Sequence, residues 1–407
     1  MKEWKEYNIG EICDTISDTY DGNASNVVLI NTSDVLEGKC LNHTFVPNKD
    51  LRGQFKKQFK KNDILYSEIR PANKRYAFID FEPTDYIAST KLMVIRSNDK
   101  VLPKFLYYIL QSKEMIETLQ FLAESRSGTF PQITFSELAI QTILLPEVKE
   151  QNKIVNFLEA LDSKIELNRR INGNLEQQAQ ALFKAWFVDF EPFKSGKFVD
   201  SELGRIPEGW KVGRLDEIGE IVGGGTPSKS KAEYYCDKGI PWVTPKDLSI
   251  THAKFTSKGE VDISDLGYKN SSTQILPKGS VLFSSRAPIG YITIALNDIC
   301  TNQGFKSVIP KIAGTAFIYC YLKNNIKNIE SQATGSTFKE ASGSLMKSLK
   351  VLRPDDISIY RRFEEVETSL FEKQAALEEE NLRLSTLRDT LLPQLMSGEL
   401  KINDLNR

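Results

Sequence analysis

Histidine is almost absent from this chain: His43 and His252 are the only two in 407 residues, and neither has an acidic or thiol neighbour at useful spacing. The commonest general base and commonest metal ligand are thereby removed from any catalytic role. Cysteine is scarce too. Cys13, Cys40, Cys236, Cys300 and Cys320 are odd in number and form no Cys-x-x-Cys pair, so reduced, mostly buried thiols are expected, with neither a zinc site nor a disulfide frame. No 18 apolar residues follow one another, and no apolar run follows Met1-Lys2-Glu3-Trp4-Lys5. Neither a membrane span nor a signal peptide is expected, which places the chain in the cytoplasm.

Catalytic signatures are missing as well. There is no Gly-x4-Gly-Lys-Ser/Thr phosphate loop, no His-Glu-x-x-His, no Gly-x-Ser-x-Gly and no Asn-Pro-Pro-Tyr-like methyl-transfer motif. The nearest glycine-rich stretch, Gly223-Gly224-Gly225-Thr226-Pro227-Ser228, sets Pro227 where a phosphate-cradling helix would have to begin, and so reads as a turn. A chain long enough for two or three domains that carries no such constellation reads as a binder.

What is present is unevenly placed. The net charge is only −1, yet residues 50–75 hold eight basic side chains against three acids, and residues 361–380 hold three against seven. The first region suits phosphates, the second solvent or a protein partner.

Residues 149–188 carry a seam of alternating fours and threes: Ile154, Leu158, Leu161, Ile165, Asn168, Asn172, Leu175, Ala179, Leu182 and Trp186. This spacing keeps one stripe of a helix against one partner helix. The partner is expected over residues 360–392, where Phe363, Val366, Leu370, Lys373, Leu377, Glu380, Leu384, Leu387 and Leu391 repeat the arithmetic. Each helix would be about 50 to 60 Å long at 1.5 Å per residue. Ile171-Asn172-Gly173-Asn174 is the weak point, since Asn-Gly signals a turn. The polar seam positions are expected to fix register.

A long-period repeat organises the rest. Trp4-Lys5 and Ile9-Gly10-Glu11-Ile12 return as Trp210-Lys211 and Ile218-Gly219-Glu220-Ile221. Asp63-Ile64-Leu65-Tyr66-Ser67, followed by Pro71, returns as Gly279-Ser280-Val281-Leu282-Phe283-Ser284, followed by Pro288. Phe105-Leu106-Tyr107-Tyr108-Ile109-Leu110 matches Phe317-Ile318-Tyr319-Cys320-Tyr321-Leu322, and Gly128-Thr129-Phe130 matches Gly335-Ser336-Thr337-Phe338. Ile143-Leu144-Leu145-Pro146 and Leu349-Lys350-Val351-Leu352-Arg353-Pro354 then lead into the long helices. A duplicated domain-plus-helix unit of α+β class follows, its helices pairing antiparallel under an approximate two-fold axis. The expected divisions are a first domain at 1–148, a helix at 149–191, a linker and second domain at 192–357, and a helix and tail at 358–407.

Candidate nucleic-acid contacts lie at matched places in the halves. In the first they are Lys56, Lys57, Lys60, Arg70, Lys74 and Arg75, with Ser127, Gly128, Thr129 and Gln132 in a small-residue loop. In the second they are Lys229, Lys231, Arg286, Ser336, Thr337 and Lys339, and Lys246, Lys254 and Lys258 add scattered charge. Cations alternating with Tyr66 and Tyr76 suit phosphates and bases, and hydroxyls beside glycine can approach a groove closely.

Several stretches carry a resemblance: Leu145-Pro146 with Glu150-Gln151-Asn152-Lys153-Ile154-Val155, then Leu182-Phe183-Lys184-Ala185-Trp186-Phe187-Val188-Asp189-Phe190-Glu191-Pro192, then Gly204-Arg205-Ile206-Pro207-Glu208-Gly209-Trp210. Gly224-Gly225-Thr226-Pro227 and the tail Leu387-Arg388-Asp389-Thr390-Leu391-Leu392-Pro393-Gln394-Leu395-Met396-Ser397-Gly398-Glu399-Leu400 complete it. In that order they resemble the DNA specificity subunits of type I restriction-modification systems. One departure is Ser358-Ile359 after Pro354, where the first half has Glu150-Gln151.

The resemblance implies two target recognition domains of mixed α/β structure, separated by two long helices that pair as an antiparallel coiled coil with pseudo-two-fold symmetry. It implies a non-catalytic role in which each domain reads half of a split double-stranded DNA site. The helices would set the gap and dock two modification (methyltransferase) subunits, with two ATP-dependent restriction subunits as further partners. No cofactor or metal is expected on this chain, S-adenosylmethionine and ATP belonging to the partners. The other reading is a coiled-coil scaffold without sequence-specific DNA binding.

Overall fold

Ile64–Ser67 is a four-residue strand with every side chain buried, and it pairs antiparallel with Leu92–Ser97, setting Leu65 opposite Val94 and Ile64 opposite Ile95. Runs this apolar have no solvent face and settle inside a sheet. In the computed structural model, which describes residues 4–49, 53–125, 131–251, 253–286, 288–335 and 339–402, the chain divides into two compact units, Met1–Ile165 with Arg383–Arg407, and Glu166–Leu382.

In the first unit one sheet runs Cys13–Ile16, Leu92–Ser97, Ile64–Ser67, Tyr76–Phe78. A second runs Phe45–Pro47, Asn26–Ile30, Tyr86–Ser89, Phe55–Lys57, with Tyr86–Ser89 parallel to Asn26–Ile30. The helix Pro103–Leu110 opens on a proline, whose missing N–H would be unpaired there anyway, and buries every side chain from Phe105 to Leu110. Lys5–Asn8 pairs antiparallel with Thr142–Leu145 and returns the chain to the root of a long helix.

The second unit repeats this plan. Gly219–Gly223, Lys306–Pro310, Val281–Phe283 and Ile292–Ala295 follow the same order, with Phe255–Thr256 added at the edge. Trp210–Arg214 pairs antiparallel with Lys350–Pro354, as the first strand does in its unit. Gly219 is required by close approach: a Cβ there would lie 2.6 Å from Val308 Cγ1 on the neighbouring strand.

The long helices are Val148–Phe187 and Ser358–Ser397. The first runs unbroken through Gly173, where an added Cβ would meet nothing within 4 Å, so the Asn-Gly turn signal is overridden. Within the second unit Asn168 meets Asn381 and Phe187 stacks on Tyr360; within the first, Asp162 meets Arg388 and Leu158 shares a core with Leu395. In both, rising numbers on one helix meet falling numbers on the other, which is antiparallel pairing.

Ile154, Leu158 and Ile165 are buried and Leu161, Leu175 and Leu182 are half-buried, as the seam requires. On the second helix Phe363 and Leu377 are buried, and Leu370, Leu384 and Leu391 half-buried. Val366 and Leu387 correct the expected seam: they are 48% and 44% exposed. The alternating positions fall one residue later, at Glu367, Gln374, Asn381 and Arg388, each at least half-buried. A three-four and a four-three alternation share every second position, and apolar identity alone picked the wrong one. Lys373 is exposed, whereas Glu380 accepts from Asn168 Nδ2 at 2.7 Å.

Lys254, read in sequence as a surface cation, is only 7% exposed. Its Nζ donates to Glu176 Oε2 at 2.8 Å and Gln374 Oε1 at 2.7 Å, and lies 3.4 Å from the Phe371 ring centroid. Its backbone N and that of Phe255 donate to the Glu378 carboxylate. An edge of the second unit's sheet is thereby tied to both helices by ion pair, amide and ring together. Burial pushes the Glu176 carboxyl up, but the charges and hydrogen bonds of Lys254 and Lys323 outweigh it and hold the group at about 2. Glu367 has no hydrogen-bond partner for either carboxylate oxygen among the described residues, and burial pushes it up to about 7.

Two outcomes follow. Leu158→Lys, at a fully buried position, should lower stability by several kcal/mol, whereas Val366→Lys should change it by less than about 0.5 kcal/mol, as read by thermal unfolding. The carboxylates act in opposite directions. Glu176 adds stability above its ordinary 4.5 that is lost as pH falls toward 2, whereas Glu367 keeps a proton that the unfolded chain has released between 4.5 and 7, so stability falls as pH rises through that window. Glu367→Gln should therefore raise the melting temperature at about pH 8 more than at about pH 5; equal shifts would show that its titration does not matter.

Candidate nucleic-acid interface

The loop after Ile64–Ser67 is held in a conformation its sequence disfavours. Arg70 and Lys74 flank the short turn Pro71–Asn73 with φ of 46° and 53°. Left-handed backbone at non-glycine residues costs on the order of 1 kcal/mol or more and persists only where surroundings impose it. Here they do. Arg70 N donates to Pro131 O (3.1 Å), Ala72 N to Gln120 Oε1 (3.0 Å) and Glu37 N to Lys74 O (2.9 Å). The Arg70 and Lys74 side chains are exposed, and Lys74 Nζ lies 3.4 Å from Glu37 Oε1.

The other first-half cations divide by what they touch. Lys56 and Lys60 are exposed. Lys57 is half-buried, its Nζ donates to Leu92 O at 2.8 Å, and burial lowers its pKa. Arg75 Nη1 donates to Ser33 O and Val35 O, which ties down the neighbouring turn. Of the six candidate cations in this half, Lys56, Lys60, Arg70 and Lys74 are exposed, Lys74 beside Glu37.

Each unit closes this loop with a backbone clip. In the first, Ile69 bridges antiparallel to Gln132 and Ile133 N donates to Glu68 O. Lys91 Nζ then donates to Gln132 Oε1 at 3.2 Å and lies 3.7 Å from Glu68 Oε2. In the second, Arg286 bridges antiparallel to Glu340, while Ala341 N donates to Ser285 O and Ser285 N to Gly304 O. Arg286 Nε lies 3.1 Å from Glu340 Oε2, and Lys306 Nζ 3.5 Å from Glu340 Oε1. Lys339 is exposed beside them. Lys229 and Lys231 are exposed on a separate loop, Lys231 over the Tyr234 ring.

Ser127, Gly128, Thr129, Ser336 and Thr337, with His252, lie outside the described residues. His43 spends its ring on Tyr86 Oη and Cys40 O. No cluster of metal-ligating side chains and no helix long and apolar enough to cross a membrane occurs among the described residues.

Glu68, Lys91, Lys306 and Glu340 were missed in sequence. The repeat itself holds the signal. Aligning Ser67 with Ser284 pairs Ile69 with Arg286, and aligning Phe130 with Phe338 pairs Gln132 with Glu340. Those are the residues that each clip joins.

A duplicated sheet scaffold whose equivalent loops carry different cations, amides and carboxylates presents two different polar surfaces from one plan. The sequence matches the family described as type I restriction modification DNA specificity domain over residues 1–177 and 207–375, and the chain belongs to that family. Its role is accordingly sequence-specific DNA recognition in a type I restriction-modification system. The type I restriction enzyme HindI specificity subunit of Haemophilus influenzae is 37% identical over 463 aligned residues, covering 98% of this chain and 100% of that one. The MjaIX specificity subunit of Methanocaldococcus jannaschii is 40% identical over 161 residues, 39% of this chain and 37% of that one. The crystal structure of a type I system S subunit from M. genitalium has a TM-score of 0.59 at 18% identity, covering 97% of this chain and 96% of that one, which shows a shared fold.

If the Arg70–Lys74 loop meets phosphate, Arg70→Ala and Lys74→Ala should each weaken DNA binding evenly across sequences and reduce the slope of log affinity against log salt by about 1. A titration at several salt concentrations reads this directly; an unchanged slope would remove both residues from the backbone contacts.

Proposed function

We propose that the chain is a non-catalytic reader of a two-part, asymmetric DNA target, one part for each recognition domain. The observation that carries this is the pair of clips. Equivalent positions on equivalent scaffolds hold Ile69 with Gln132 in one unit and Arg286 with Glu340 in the other. An aliphatic side chain beside an amide offers base edges different contacts from a guanidinium beside a carboxylate, so the two halves favour different bases. The long helices set the unread gap and present surfaces on which two methyltransferase subunits dock. S-adenosylmethionine and ATP act on the modification and restriction subunits, and methylation, and cleavage where restriction subunits join, are directed by where this chain sits.

Methylome sequencing of a host carrying the chain with its modification subunit should give a split, non-palindromic motif. The purified chain alone should transfer no methyl groups. A contiguous or palindromic motif would refute the two-reader assignment, and failure of the complex to bind any duplex selectively would favour a scaffold.

A further inference from the structure

The Arg286–Glu340 pair is difficult to explain as a stabilising device. Their side chains are 48% and 33% exposed, and an ion pair so placed contributes at most about 1 kcal/mol, often nothing measurable. Its geometry is nevertheless specified with care. The backbone on either side is pinned: Ser285, fully buried, donates from N and Oγ to Gly304 O and accepts from Ala341 N, and Glu340 exchanges backbone hydrogen bonds with Thr334 in both directions. Lys306 Nζ takes the other carboxylate oxygen, which leaves Glu340 Oε2 to Arg286 Nε. The cluster keeps a net positive charge.

A guanidinium engaged from its Nε side retains its outer edge, the two terminal NH2 groups. That fork matches guanine O6 and N7 in the major groove. The same fork also fits phosphate, but a residue whose role was to neutralise phosphate charge would be weakened by Glu340 beside it. The aligned polar group expected at a reading position is held by its own support, so that no rotamer must be frozen on binding. The first unit has Ile69 at the same place and cannot make this contact.

We infer that Arg286 reads a guanine in the half of the target recognised by the second domain, with Glu340 as the residue that positions it. This rests on the DNA-reading role proposed above. The unread amide of Gln132 and the lysines around both clips are left to the remaining positions.

The test uses the full chain with its modification subunit in a methylation-free host, with methylome sequencing and duplex-binding titrations across salt. The parent complex should yield a two-part motif containing at least one G·C pair in the half that changes when the second domain is exchanged. Arg286→Ala should make one such position degenerate, its discrimination falling about 5- to 150-fold, the range one bidentate contact supplies, while the other half stays intact. Arg286→Lys keeps the charge and lacks the fork, so it should relax the same position with an unchanged salt slope. Glu340→Ala should relax that position partially, and Glu340→Gln, which keeps the side chain's shape and an oxygen beside Nε, less. A parent motif without G·C in that half overturns the inference, as does uniform loss of binding in Arg286→Ala with no position relaxed, or no change in any variant. Absence of any two-part motif in the parent would instead sink the proposed function itself.

Discussion

A forty-residue helix with an apolar stripe along one side cannot bury that stripe by itself, and this chain has two. Each unit therefore has to be assembled from the beginning of one helix and the end of the other, with a sheet domain closing over them. Leu158 shares a core with Leu392 and Leu395 in the first unit, and Phe183 and Phe187 share one with Tyr360 and Phe363 in the second. The domains root into the same stripes. Phe105 to Leu110 and Phe317 to Leu322, the aromatic-rich helices over the two sheets, belong to those same cores. Truncating one helix would thus expose apolar surface in a helix and in a domain at once.

The duplicated architecture was legible because it is written in apolar and turn residues that recur in order. Trp4 stands just before, and Trp210 opens, a strand that pairs with the run before a long helix. The seam of the first helix was legible for the same reason. The second was only half legible, since its alternate positions are Glu367, Gln374, Asn381 and Arg388, which a hydrophobic pattern rejects. Three of the four have partners: Arg388 meets Asp162, Asn381 meets Asn168, and Gln374 meets Asn172 and Lys254, while Glu367 has none among the described residues. Those three are held through residues more than a hundred positions away, and spacing alone carries no information about such partners.

Lys254 shows the same limit in reverse. Charge counting set it among the scattered cations of the second half, but its ammonium lies over Phe371 and Tyr319 while Glu176 and Gln374 take its donors. Such a pair contributes less to net stability than its short distances suggest, because desolvating both charges offsets most of their attraction. What it does supply is directional: removing either partner leaves the other buried and uncompensated, so the sheet edge at Phe255 has one favourable seat on the helices. Glu367 lies nearby without a partner, and Lys254 pulls its pKa down while Glu176 pushes it up, so the cluster is electrostatically coupled.

The candidate contact loops were the least legible part. Basic residues advertise affinity, and residues 50–75 could be found by counting. Yet Arg75 and Lys57 turn out to donate to main-chain carbonyls, whereas Glu68 and Glu340, which carry the wrong sign for phosphate, stand at the centre of the two clips. A surface that only needed to hold DNA would be better without them. A surface that must choose among base pairs benefits, because each carboxylate restricts the orientation of a neighbouring cation and disfavours the poses in which that cation merely follows the phosphates. On the proposed reading, specificity depends on which side chains the clips hold still, and two copies of one sheet plan differ at the two clip positions, Ile69 and Gln132 in one and Arg286 and Glu340 in the other, while the strands that carry them keep the same order.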